Sequence, residues 1–254
     1  MNVYWLEQAE VDVPEENDWL SLNEAASLSR MRFAKRRSDW RLGRWTAKRA
    51  LSVCLNVPPH PEVFRKIEIR PAASGAPQVF LNNQLEAVTI SLSHRAGLAS
   101  CAVAMSAVEL GCDLEMIEPH SDAFVADYFT PEEQALVLRA SAADRDRLLA
   151  LFWSAKESAL KALHAGLRLD TRCVAVRPFP AACDLNGWSR LLVQYCGDRH
   201  TEPQLFHGWW QCARDLLRTV VANPPPDSPI PLTIPARSFD SASFGRASRS
   251  LVLM

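Results

Sequence analysis

The sequence lacks the features that mark secreted and membrane proteins. Residues 1–7 contain neither the basic stretch nor the apolar segment of a signal peptide. No apolar run approaches the roughly 20 residues that a membrane span needs. The seven cysteines are scattered, with no C-x-x-C pair and no zinc-binding spacing. An odd number without a pattern predicts free thiols, so we expect a cytoplasmic protein with no membrane partner.

The chain also lacks an excess of charge of either sign. Its 28 Lys and Arg residues nearly balance 29 Asp and Glu residues, and the net charge of −1 gives no reason to expect a nucleic acid partner. With 254 residues, 48% of them hydrophobic, the chain can form one or two domains with a sizeable core. Basic residues crowd only between 30 and 49, which indicates either a solvated helix face or an anion-binding wall.

Residues 152–163 predict the helix around which the rest of the chain is organised, because they include no Gly or Pro and many strong helix formers. An inward apolar face follows from helical spacing of Leu148, Phe152, Ala155, Ala159 and Ala162. Trp153, Glu157 and Lys161 step by four along the flank of this face. Taken alone, Glu157 and Lys161 are an ordinary surface pair worth about 0.2–0.5 kcal/mol.

A second acidic site lies upstream, at residues 111–115. The alternation predicts a strand with Asp113 and Glu115 on one face and apolar residues on the other. Two carboxylates on one face repel each other unless a cation lies between them. Together with Glu157 they offer three hard oxygen ligands, which suit Mg²⁺ better than zinc. A solvated strand edge is the alternative for Asp113 and Glu115 alone.

The two sites together resemble a known family. Gly-Cys-Asp-Leu-Glu at 111–115, followed by Trp-Ser-Ala-Lys-Glu-Ser-Ala-Leu-Lys at 153–161, resembles the two signatures of the 4′-phosphopantetheinyl transferases. The interval suits the larger, surfactin-synthetase-activating type. Residues 40–51 resemble the family's G-R-x-x-A-K helix, residues 90–94 its S-x-S-H strand, and residues 75–77 stand where G-K-P is usual. Ala76 replaces the usual lysine, which affects the expected contact on the adenine side of coenzyme A.

The resemblance implies transfer of phosphopantetheine from coenzyme A to a serine of an acyl or peptidyl carrier protein, releasing 3′,5′-adenosine bisphosphate. It assigns Mg²⁺ to Asp113, Glu115 and Glu157. Glu157 is the expected base, acting directly or through a metal-bound water, and Lys161 is expected to hold a phosphate oxygen. Fatty acid, polyketide and nonribosomal peptide pathways all use such carriers, and the broad-specificity type is expected to act as a monomer.

The resemblance also implies a set of coenzyme A contacts. Phosphate contacts are expected from basic side chains, of which Arg36, Arg44 and His94 are proposed for the 3′-phosphate, with Arg37 and Arg41 as alternatives to Arg36. The full expected set is Arg36, Arg44, Gly75, Pro77, Ser93, His94 and Lys161.

The family's fold is α+β, with two similar halves that each pair a small sheet with helices. We expect an N-terminal half at residues 1–117, a C-terminal half at 118–223, and a flexible Pro/Ser-rich tail at 224–254. Thr130, Pro131 and Glu133 predict a capped helix start. The carboxylates of Glu132 and Glu133 are therefore interpreted as structural. The long helix is expected to run from about Ala143 to His164 and to end near Gly166, a natural C-cap.

Two other functions fit the acidic residues. One is a Mg²⁺-dependent phosphodiesterase that hydrolyses coenzyme A or a related diphosphate with water. The other is a non-catalytic coenzyme A-binding module whose acidic site is structural. A transferase needs a carrier protein for turnover, a hydrolase does not, and a binding module shows no turnover.

Overall fold

The computed structural model describes residues 1–179, 183–197 and 202–234. Within these ranges the helices are α1 (Leu22–Ser29), α2 (Ala34–Cys54), α3 (Pro61–Phe64), α4 (Asp122–Tyr128), α5 (Pro131–Arg139) and α6 (Ala142–Ala162). The strands are β1 (Tyr4–Ala9), β2 (Ile67–Pro71), β3 (Pro77–Leu81), β4 (Gln84–Arg95), β5 (Leu98–Ala104), β6 (Glu109–Met116), β7 (Val174–Pro178), β8 (Ser189–Tyr195), β9 (Gln204–Ala213), β10 (Leu216–Asn223) and β11 (Ile230–Pro231). None of the described helices combines the length and apolar character that a membrane crossing needs.

The strands form two sheets with matching topology. The first has the order β11-β1-β5-β4-β3-β2 and the second the order β6-β10-β9-β8-β7. The long helix α2 packs on β1 and β5, as α6 packs on β6 and β10. Apart from β11, each strand of the first sheet therefore has a counterpart in the second. This confirms the predicted α+β fold of two similar halves.

The duplication extends to single residues of the long helices. Lys48 and Lys156 each stand fifteenth in a helix of 21 residues, and both side chains are 0% exposed. Lys48 Nζ lies 2.5 Å from Glu24, and Lys156 Nζ lies 2.9 Å from Glu133. Each ammonium also donates to backbone carbonyl groups, as a buried charge requires.

The two acidic partners play matching roles in helix capping boxes. Glu24 forms a capping box with Ser21 at the start of α1, and Glu133 forms one with Thr130 at the start of α5. This confirms the structural interpretation of Glu133. Each Glu also accepts the backbone N–H of the third residue of an edge strand: Ile69 of β2 donates to Glu24 at 3.3 Å, and Val176 of β7 donates to Glu133 at 2.8 Å.

Three buried clusters make up the core. One lies between α1, α2 and the first sheet, and a second between α5, α6 and the second sheet. The third cluster joins the two sheets, with Trp5 of β1 and Trp209 of β9 among its members. The two halves therefore share a core instead of meeting at a solvated surface.

The strand that bears the first acidic motif belongs to the second sheet. β6 pairs with β10, with Asp113 opposite Thr219, although the sequence pattern placed residues 1–117 together in the N-terminal half. Gly111 allows close packing of β6 on α6, because an added Cβ would lie 1.7 Å from the carbonyl oxygen of Ser158. A side chain at Gly111 would therefore force the helix away from the strand.

The structure differs from three local expectations. Residues 224–234 are ordered on the body of the protein, where Ile230 and Leu232 donate backbone hydrogen bonds to Val3 and Trp5 at 2.8 Å; the remaining tail residues, 235–254, lie outside the described ranges. The alternation of residues 62–70 predicts one continuous strand, but the short helix α3 comes first and β2 begins only at Ile67. Helix α6 ends before Gly166, because His164 already adopts a left-handed φ of 53°.

Candidate active site

The candidate site lies where α6 crosses β6. Phe152, Ala155 and Ala159 are buried in the C-terminal core, which confirms the predicted inward face of α6. Trp153, Glu157 and Lys161 are partly buried and follow one another along its flank. The close approach at Gly111 brings this flank against the acidic strand.

Lys161 contacts the acidic strand and not the neighbouring turn of its own helix. Its Nζ donates to Asp113 Oδ1 at 2.8 Å and to the carbonyl oxygen of Cys112 at 3.0 Å. Burial acts to lower the pKa of Lys161, but Asp113, together with Cys112 and Glu157, acts in the opposite direction, and the net pKa is raised. Lys161 and Asp113 therefore form a charged pair between α6 and β6, in place of the surface Glu157–Lys161 pair.

Asp113 is more deeply buried than an exposed strand edge would be. Its residue is only 4% exposed. Oδ1 accepts from Lys161 and from the Ser93 hydroxyl at 2.8 Å, while buried Oδ2 has no hydrogen-bond partner among the described residues. One oxygen is thus held in place, and the other is available for a further ligand.

Glu115 lies further along the same strand. Trp153 Nε1 donates to its carboxylate at 3.1 Å, and Arg95 Nε lies 3.4 Å from it. Burial, helped by repulsion from Asp113 and Glu157, raises the pKa of Glu115 to about 7, although Arg95 and Trp153 act in the opposite direction. The carboxylate therefore lacks sufficient positive charge around it.

Glu157 shows the same imbalance. Burial and repulsion from Asp113 raise its pKa, and the Lys161 ammonium only partly offsets them. Three carboxylates thus come close enough to repel one another. Among the described charges, Lys161 and Arg95 do not neutralise them fully.

A cleft of about 370 Å³ opens beside Lys161, between the two halves of the chain. It brings together four of the residues predicted to contact coenzyme A, which are Arg44, Gly75, Pro77 and Lys161. Arg44 is mostly buried, with its guanidinium carbon 4.9 Å from the Trp40 ring centre and its Nε 3.7 Å from Glu24. A planar cation facing a cleft suits an anionic ligand.

Arg36 and His94 lie in a separate hollow of about 400 Å³, lined also by Lys35 and Trp40. His94 Nε2 is 3.9 Å from Asp39 of α2. The three residues predicted to share the 3′-phosphate are therefore divided between this hollow and the cleft. Ser93, the seventh predicted contact, faces Asp113 instead of either cavity.

Comparison with known proteins points to one family. A family model described as the 4′-phosphopantetheinyl transferase superfamily matches residues 109–205, which include both acidic motifs. The 4′-phosphopantetheinyl transferase HetI of Nostoc sp. (strain PCC 7120 / SAG 25.82 / UTEX 2576) is 27% identical over 176 residues, covering 68% of this chain and 72% of HetI.

The two comparisons support membership of the 4′-phosphopantetheinyl transferase superfamily. The comparisons support phosphopantetheinyl transfer, in general terms, as its activity.

Phosphopantetheinyl transferases generally use Mg²⁺, so the fit of the acidic residues to this cation matters. As they stand in the described ranges, no three or more His, Cys, Asp or Glu side chains form a group that could hold a metal ion. However, the three carboxylates are hard oxygen donors, they repel one another, and Asp113 Oδ2 is buried without a partner. Their chemistry and charge fit Mg²⁺.

Sequence reasoning missed two groups at this candidate site. Arg95 and Trp153 both contact Glu115. Trp153 could have been found, because it precedes Glu157 by one turn on the same helix flank. Arg95 follows His94 in the sequence and carries no comparable signal. Lys48 is one of the basic residues between 30 and 49 that were expected to bind an anion. It does not face a ligand, since its ammonium is buried against Glu24.

Proposed function

We propose that this chain transfers 4′-phosphopantetheine from coenzyme A to a serine hydroxyl of an acyl or peptidyl carrier protein, releasing 3′,5′-adenosine bisphosphate. We assign it to the larger, surfactin-synthetase-activating type. The observation that carries the proposal is the contact between β6 and α6, where Asp113, Glu115 and Glu157 lie near Lys161. This contact lies beside the cleft between the two halves. The similarity to the 4′-phosphopantetheinyl transferases suggests which reaction these residues carry out.

We assign the cation to Asp113, Glu115 and Glu157. When bound there, Mg²⁺ supplies charge neutralisation at the diphosphate of coenzyme A. Before binding, the carboxylates are held by the protein itself: Ser93 and Lys161 hold Asp113, while Trp153 and Arg95 hold Glu115. This arrangement limits the reorganisation that phosphoryl transfer would otherwise need.

Glu157 is the proposed general base for the attacking serine. A serine hydroxyl is a weak nucleophile and needs a base to accept its proton. Burial and Asp113 raise the pKa of Glu157, which brings its basicity closer to neutral pH. Lys161 lies on the next turn of α6 and provides the positive charge that faces a phosphate oxygen.

Coenzyme A is proposed to occupy the cleft between the halves. Arg44 and Lys161 contribute cations to it, and Gly75 and Pro77 form part of its wall. Arg36 and His94 are proposed to reach anionic groups of coenzyme A from the neighbouring hollow. Guanidinium groups favour phosphate because their N–H groups match its oxygens in geometry.

The test is a mass spectrum of an apo carrier protein after incubation with this chain, coenzyme A and Mg²⁺. We expect a mass gain equal to phosphopantetheine. Glu157→Gln keeps the size of the side chain but removes its basicity, so it should retain part of the coenzyme A binding and lose about 10²-fold in single-turnover rate. Hydrolysis of coenzyme A without a carrier would indicate a phosphodiesterase, and binding without turnover a binding module.

We further propose that one chain acts as a monomer in the cytoplasm. Both walls of the cleft come from the same chain, so no second copy is needed to complete it. All seven cysteines are free thiols, as a reducing compartment would keep them. Sedimentation that shows a stable dimer at micromolar concentration would overturn the monomer.

A further inference from the structure

Strand β4 contacts β6 through a row of hydroxyl groups. Ser91 Oγ accepts the backbone N–H of Cys112 at 2.9 Å, and Ser93 Oγ accepts that of Leu114 at 3.2 Å. β4 belongs to the first sheet and β6 to the second. These side chains therefore satisfy backbone donors of β6 and join the two halves next to the acidic site.

Ser93 differs from Ser91 because its hydroxyl also touches a carboxylate. It donates to Asp113 Oδ1 at 2.8 Å. A serine hydroxyl has one proton to donate and two lone pairs to accept with. Since the proton is committed to Asp113, Ser93 has none left to donate to a phosphate oxygen in this arrangement.

The neighbour of Ser93 points the other way. Consecutive side chains of a strand lie on opposite faces. His94 accordingly lies on the side of α2, with its Nε2 3.9 Å from Asp39, while Ser93 lies on the side of β6. The two residues therefore serve different parts of the molecule, although the sequence motif suggested a shared ligand.

The two oxygens of the Asp113 carboxylate differ in their hydrogen bonds. Oδ1 receives both the Ser93 hydroxyl and the Lys161 ammonium, each at 2.8 Å. Oδ2 is buried and has no partner among the described residues. Two donors on one oxygen fix the plane of the group, and they leave Oδ2 as the oxygen without a protein partner, on a carboxylate that repels both Glu115 and Glu157.

We propose that Ser93 is a positioning residue that orients Asp113 so that Oδ2 is presented to the cation. This role rests on the proposed function, because it assumes a divalent cation at the three carboxylates. It replaces the direct contact of Ser93 with coenzyme A that the sequence motif predicts.

The experiment measures cation binding separately from turnover. Mn²⁺ prefers the same hard oxygen ligands as Mg²⁺ and has a spin signal that reports its free concentration. We would titrate Mn²⁺ into the full chain with saturating coenzyme A, using wild-type protein and the variants Ser93→Ala, Ser93→Thr and Ser91→Ala. Ser91→Ala is the matched control, since it removes a β4-to-β6 hydroxyl that touches no carboxylate.

We expect Ser93→Ala to bind Mn²⁺ about 10-fold or more weakly, the usual scale when a metal ligand loses the hydrogen bond that orients it. Ser93→Thr should restore binding because it keeps the hydroxyl, and Ser91→Ala should bind as the wild type does. Thermal unfolding of each variant shows that the compared proteins are folded. Equal Mn²⁺ affinity of Ser93→Ala and wild type would overturn the proposal.

A second measurement separates this role from phosphate binding. With the cation removed by a chelator, Ser93→Ala should bind coenzyme A and dephospho-coenzyme A as the wild type does. A loss for coenzyme A alone would assign Ser93 to the 3′-phosphate and overturn the proposal. Wild-type protein that binds no Mn²⁺ would overturn the cation site and the Ser93 role together, whereas normal Mn²⁺ binding without carrier modification would overturn only the transfer reaction.

Discussion

The raised pKa values of Glu115 and Glu157 show that too little positive charge surrounds the carboxylates of the site. Glu115 has an ordinary pKa of 4.5, which burial and the neighbouring carboxylates raise to about 7. The folded protein thus favours the uncharged form of this group. A group with a raised carboxyl pKa stabilises the fold below its unfolded pKa, and this contribution is lost as the pH rises through the folded value.

We therefore predict that, without divalent cations, Glu115 reduces stability as the pH rises from about 4.5 to about 7. Thermal unfolding of wild type and Glu115→Gln across this range measures the effect as a difference, because glutamine cannot ionise. The stability of the wild type should fall relative to the variant. Added Mg²⁺ should reduce the difference at pH 7, since it binds the ionised carboxylate. Parallel curves for the two proteins would contradict the raised pKa.

At the same scale, burial changes what an Asp113 variant would show. An exposed carboxylate could be removed without effect on the fold, but Asp113 is 4% exposed and paired with Lys161. Its removal leaves an ammonium and a serine hydroxyl without their acceptor. Loss of activity in such a variant is therefore meaningful only if its stability is measured as well.

At the scale of elements, the two long helices are built alike but carry different chemistry. Lys48 of α2 and Lys156 of α6 occupy equal positions and bind equivalent Glu residues. The next residue is Arg49 in α2 and Glu157 in α6, so only the second helix presents a carboxylate there. The Lys–Glu pairs belong to the shared architecture, and the reactive groups belong to one half.

This symmetry supplies a matched pair of variants. Lys156→Met and Lys48→Met each leave a buried Glu without its cation, and each should cost about 3–5 kcal/mol of unfolding free energy by denaturant titration. Adding Glu133→Gln to Lys156→Met removes the stranded charge and should recover most of the loss. At a temperature where all variants are folded, Lys156→Met should lower single-turnover rates more than Lys48→Met, because α6 carries Glu157 and Lys161. Equal rate losses would mean that the pair in α6 does not serve the site.

The local features of these elements could be predicted from the sequence, and the contacts between them could not. Periodicity and capping residues predicted α6, the start of α5 and the face of β6, because these signals lie within a few residues of each other. The bonds of Asp113 to Lys161 and to Ser93 join residues far apart in the chain. They depend on the packing of α6 over Gly111 and of β4 beside β6, which no single stretch encodes.

At the scale of the whole molecule, the cleft is fixed by several connections between the halves. Trp5 of the first sheet meets Trp188 edge to face, with 5.6 Å between ring centres. Glu7 of β1 forms an ion pair with Arg218 of β10, with a hydrogen bond of 2.8 Å. The C-terminal segment adds a third connection, since it leaves β10 of the second sheet and pairs with β1 of the first.

This segment leads to a prediction opposite to the one from composition. Its Pro/Ser-rich sequence predicts a flexible tail. Deletion of the residues after Pro226 would then change the melting temperature little. In the structure, residues beyond 226 make three backbone hydrogen bonds to Met1, Val3 and Trp5. Leu232 and Ile234 also pack against the N-terminal core.

We predict that a chain ending at residue 226 melts clearly below the full chain. Three hydrogen bonds at about 0.5–1.5 kcal/mol each give roughly 2–4 kcal/mol before apolar packing is counted. For a chain of this size that corresponds to a decrease of about 5 °C or more in calorimetry. A chain ending at residue 234 is the matched control, because it keeps every one of these contacts and should melt clearly above the shorter chain. The shorter chain should also bind coenzyme A more weakly, since its cleft lies between two halves that have lost one of their connections. If the two truncated chains melt together at the temperature of the full chain, the segment contributes nothing to the stability of the body.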